Sequence, residues 1–72
     1  MGKLTVGDRG LRYQWASDVD FDGVRLEVLT DQGNVLFDIS VPEQGPITVN
    51  TFSNEVPIDV ITAAVSVAGQ RR

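Results

Sequence analysis

The chain has no cysteine and no histidine, and these two absences remove more chemistry than any motif adds. Without thiols there is no disulfide to staple a small fold and no thiolate nucleophile; the lack fits a reducing compartment. Without imidazole, the commonest transition-metal ligand and the usual general base near neutral pH are both missing. Zinc centres, Cys-His or Ser-His catalysis and haem ligation by histidine are therefore excluded together. Basic residues are also scarce, six against ten acids, for a formal charge of −4. Such a balance opposes nucleic-acid binding, which needs a basic footprint to release counterions. It equally opposes adsorption to an anionic membrane. Long apolar runs are absent too. The richest stretch, "VITAAVSVAG", falls well short of the ~20 residues that cross a bilayer. No apolar segment of signal-peptide length follows "MGKLTVG". The expectation is a cytoplasmic protein with no membrane and no nucleic-acid partner.

What is present reads as one small domain over residues 1–72, with a modest core, since short chains bury a smaller share of their surface. Residues 1–10 form a loose arm or a short edge strand, "LTV". Period-two alternation then marks strands. In "LRYQWAS", Leu11, Tyr13 and Trp15 share one side. "VRLEVLT" places Val24, Leu26 and Val28 on one face and Arg25 and Glu27 on the other. "VLFDISV" sets Val35, Phe37, Ile39 and Val41 against Asp38 and Ser40, and "ITVNTF" turns Ile47, Val49 and Thr51 inward. The loops "TDQGN" and "VPEQGPI" carry the Asp, Gly and Pro of tight turns, so they join antiparallel neighbours.

Pairing follows from keeping charge out of the core. Leu26 opposite Ile39 and Val28 opposite Phe37 unite the apolar faces, whereas a slip of one residue sets Leu26 against Asp38. By the same logic Ile39 faces Val49 and Phe37 faces Thr51. This register also aligns Leu29, Leu36 and Phe52 in one row of the opposite face, with Glu27, Asp38 and Asn50 in the next.

The last segment, "NEVPIDVITAAVSVAGQRR", reads as a helix opened by Pro57, with Asp59 in its first turn and Gly69 as the residue just past its end. The stripe Ile58, Ile61, Val65, Ala68 is its expected packing face, with a weaker stripe of Val60, Ala64 and Val67 beside it. The fold expectation is α+β: a four-stranded antiparallel meander with one C-terminal helix packed on one face, in two layers.

"SDVDFDGV" carries the one local pattern that resembles a chemical site. Asp18, Asp20, Asp22 and Gly23 match positions one, three, five and six of a calcium loop. Position twelve is Leu29, where a bidentate glutamate should close the shell, so the stretch reads as an acidic turn with weak calcium affinity as the alternative. Phe21 is expected to anchor it to the core. The paired carboxylates Glu27 and Asp38 lack material for a cleft around them in so short a chain. No catalytic residue and no cofactor are expected. The function expected is a non-enzymatic interaction or accessory module that engages a protein partner or a second copy through Leu29, Leu36 and Phe52, flanked by Glu27 and Asp38. A small acidic inhibitor of a basic partner is a further alternative.

Overall fold

The computed structural model describes residues 2–17 and 22–71. Its strands are β1 (Gly2–Val6), β2 (Arg9–Ser17), β3 (Gly23–Leu29), β4 (Val35–Pro42) and β5 (Thr48–Asn50), followed by the helix α1 (Ile58–Gln70). They form one antiparallel sheet in the order β1-β2-β3-β4-β5. The sheet thus has five strands and not four, because the opening residues are a paired strand. Val6 pairs with Arg9 across Gly7 and Asp8, and Gly7 adopts φ 61. A Gly-Asp pair at the tip is what a two-residue hairpin demands. Leu4 then reaches the core at 4% exposure.

The core lies between the sheet and α1. Leu26, Val28, Phe37 and Ile39 from the sheet, with Ala64 and Ala68 from the helix, are all 0% exposed. Leu26 faces Ile39, Val28 faces Phe37 and Ile39 faces Val49, the pairing that the exclusion of Asp38 from the core requires. Tyr13 and Trp15 are half-buried against this cluster, and the Arg71 guanidinium stands 4.7 Å from the Trp15 ring centre.

The register breaks at one point. Leu29 pairs with Val35, leaving Leu36 as an extra residue on β4. Two constraints that differ by one residue meet here. The Thr30 amide donates to the Asn34 carbonyl at 2.7 Å, and the Gly33 amide to the Thr30 carbonyl at 2.9 Å, so the turn dictates one pairing while the core dictates another. A bulge at Leu36 reconciles them. Leu36 consequently packs against the helix-side core instead of standing beside Leu29 on the opposite face.

The helix is rotated from its expected orientation. The stripe of small residues, Val60, Ala64 and Ala68, is buried, while Ile58 is 78% and Val65 42% exposed. Alanine lets the helix backbone approach the sheet closely, and Phe37 and Leu26 fill the space that bulkier helix residues would have taken. Pro57 caps the helix rather than opening it, and Gly69 lies within its last turn, the cap being Arg71 in right-handed conformation.

Candidate functional site

The residues expected to form an outward apolar row are dispersed. Leu29 is buried at 6% exposure, Leu36 is turned to the core, and Phe52 lies beyond the end of β5 at 49% exposure. Beside Leu29 runs a polar row, Gln14–Glu27–Asp38–Asn50, in direct cross-strand register. Two carboxylates opposite one another repel, and each has a separate partner. The Gln14 Nε2 donates to Glu27 Oε1 at 2.7 Å. Arg25 Nη1 donates to Asp38 Oδ2 at 3.4 Å, and the Asp38 side chain is only 6% exposed. The pair is held by the sheet surface and not by the walls of a cleft. A concavity of about 370 Å³ lies at the other end of the strands and is lined by Gly23, Val24, Val41, Pro42, Glu43 and Arg71. It brings one acid, Glu43, and one base, Arg71, together with apolar residues and a glycine.

Asp18, Asp20 and Phe21, and with them most of the acidic turn, lie outside the described residues, as does Arg72. Asp22 is exposed, and its carbonyl accepts from the Glu43 amide at 2.9 Å. Leu29, which would be the closing position of a calcium loop, is a buried strand residue. Among the described residues no group of three or more acids is placed to hold a metal. With leucine at the closing position, millimolar calcium is expected to leave the melting temperature within error and to move the Asp22 and Gly23 amide shifts slightly or not at all. Saturable micromolar binding in calorimetry, lost on Asp22→Asn, is the contrary result.

The feature that sequence reading missed is the turn after β5. The Asn54 amide donates to the Thr51 carbonyl at 2.9 Å, with Phe52 at φ 54 and Ser53 at φ 66 between them. Two left-handed central residues under one such bond are the pattern of a type I′ turn, ordinarily filled by Asn and Gly. Two asparagines hold it here. Asn50 Oδ1 accepts from the Phe52 amide at 3.0 Å. Asn54 Nδ2 donates to the Leu36 carbonyl at 2.8 Å, joining the turn to the bulge. The outcome is a phenylalanine presented to solvent on a backbone that costs a bulky residue about 1 kcal/mol or more. The spacing "NTFSN", with asparagines flanking the bend, was the available signal.

Compared with protein-family models, with curated proteins and with solved structures, the chain matches none. Among the described residues no helix is long and apolar enough to cross a membrane.

Proposed function

We propose that this chain is a non-enzymatic protein-interaction module that engages its partner through Phe52. The observation that carries the reading is the Thr51–Asn54 turn: a half-exposed aromatic held in left-handed backbone by two asparagine side chains. Strain of this kind persists where surrounding structure enforces it and is concentrated at ligand clamps and switches. Aromatic side chains that become desolvated on binding are the usual anchors of an interface. The neighbouring strand supports the same reading. β5 lies at the edge of the sheet with Val49 39% exposed, and residues 47–54 contain no charged side chain, so the surface beside Phe52 is uncharged.

Phe52→Asn tests this reading. Asparagine tolerates left-handed backbone, so relief of strain offsets the lost partial burial, and stability in urea is expected to change by less than ~1 kcal/mol. Immobilised wild-type chain should retain a protein from host extract that the variant does not. Equal retention by both would remove Phe52 from the interface.

A further inference from the structure

We infer that the groove beside Arg71, at the end of the sheet, binds a small zwitterion with an apolar body: an aliphatic amino acid, free or in a dipeptide. The site lies apart from Phe52 and does not depend on the reading of that turn.

Two cross-strand pairs line the groove. Val24 lies opposite Val41 and Gly23 opposite Pro42, so aliphatic surface stands beside a position with no side chain at all. The resulting concavity of about 370 Å³ is of small-molecule size. Arg71, the residue that caps α1, forms one of its walls, and Glu43, just past β4, forms another.

Each charged group is positioned by a contact that leaves its charge unused. The Arg71 guanidinium is held over the Trp15 ring, 4.7 Å from its centre, and a cation so placed keeps N–H donors for an anion. The Glu43 amide donates to the Asp22 carbonyl at 2.9 Å, which ties the rim to the start of β3 through backbone alone. Elsewhere the chain pairs its charges, Arg9 with Asp59 and Arg25 with Asp38. Among the described residues, Arg71 and Glu43 have no ion-pair partner and do not pair with each other.

One groove thus carries both signs of charge together with apolar surface, and this combination decides the ligand. A simple carboxylate would meet Arg71, but also Glu43 and a chain of charge −4. An amine would meet Glu43, but also Arg71. A molecule bearing both charges suits both walls and, being neutral overall, is indifferent to the net charge of the chain. Its carboxylate accepts from the guanidinium, its ammonium donates to the Glu43 carboxylate, and its aliphatic part lies on Val24, Val41 and Pro42. A second concavity, about 270 Å³, adjoins the first at Pro42 and Glu43 and adds Asp22 and Gln44. It offers room for a second residue and another carboxylate for the ammonium end. Arg71 and Glu43 are both exposed, and exposed charge pairs contribute little, so binding should be weak, with Kd about 1 mM.

Chemical-shift titration of the nitrogen-15-labelled chain tests the inference with leucine, leucyl-leucine and two single-charge analogues, 4-methylpentanoate and 3-methylbutylamine. The zwitterions should shift the Gly23, Val24 and Glu43 amides and the Trp15 indole N–H. Each analogue should bind at least about fivefold more weakly than leucine. The tighter of the two zwitterions identifies the source, amino acid or peptide. Glu43→Gln should abolish only the advantage over 4-methylpentanoate, and Arg71→Gln only the advantage over 3-methylbutylamine. Arg71→Lys, which keeps the charge, should retain that advantage, and the spectrum of each variant shows whether it is folded. Equal binding of leucine and both analogues, preferences unchanged by both glutamine substitutions, or no shift of these amides at about 50 mM leucine overturns the inference. Capture through Phe52 is decided separately, by its own variant.

Discussion

Phe37→Ala is expected to leave the protein largely unfolded at room temperature. The side chain is 0% exposed and is the largest among the fully buried ones. It sits opposite Val28 at the centre of the sheet, within the cluster that includes Val60, Ala64 and Ala68 of α1. Removing a buried phenylalanine costs about 3–5 kcal/mol, in part for lost transfer free energy and in part for the cavity left behind. Stability scales at roughly 0.05–0.15 kcal/mol per residue, so a chain of 72 residues holds roughly 4–10 kcal/mol in total. The loss is therefore comparable with everything the fold has. Urea titration of wild type and variant by near- and far-ultraviolet circular dichroism measures it. A loss below ~1 kcal/mol would mean that the sheet face carrying Phe37 is not the one α1 covers.

The legible parts of this fold were those in which one physical rule acted alone. Leu26 with Ile39 and Val28 with Phe37 could be paired from sequence because any slip carries Asp38 into the apolar row. The bulge at Leu36 was not legible, since it arises from a conflict between two rules, each satisfied locally. The Thr30–Asn34 turn closes on one pairing and the core on another, and only the assembled hairpin shows which strand absorbs the difference. β1 was within reach, because Gly7 and Asp8 are a hairpin tip, but a five-residue strand with little alternation has no periodic signal of its own.

The turn that presents Phe52 was obscured by its own composition. "ITVNTF" alternates like a strand to its end, and strand propensity says nothing about the backbone beyond Asn50. Asn54 holds the turn by bonding the Leu36 carbonyl. The extension of β5 through Phe52 and the overlooked bulge at Leu36 together produced the apolar row of Leu29, Leu36 and Phe52 that the structure disperses. The interaction surface proposed from the structure retains only Phe52 from that row.

Lysine scanning at two adjacent helix positions separates the faces of α1 most sharply. Ala64→Lys should unfold the protein, and Val65→Lys should not. By size alone the sequence favours Val65 as the core residue, because a stripe of Ile58, Ile61 and Val65 offers more apolar surface than Val60, Ala64 and Ala68. Packing reverses this preference. With Ala64 and Ala68 at 0% exposure against Leu26, Phe37 and Ile39, a larger side chain at either position would have to displace its core neighbours. A lysine at position 64 would meet two penalties, overpacking of about 1–3 kcal/mol and burial of an ammonium without a counter-charge, worth several kcal/mol more. At position 65 the side chain is already 42% exposed, so its ammonium reaches water, and the change in dilute solution should stay within about 1 kcal/mol. Thermal and urea unfolding of both variants at low micromolar concentration makes the comparison. If instead Val65→Lys unfolds the chain and Ala64→Lys is tolerated, α1 is turned by one residue and Ile58, Ile61 and Val65 form its buried face.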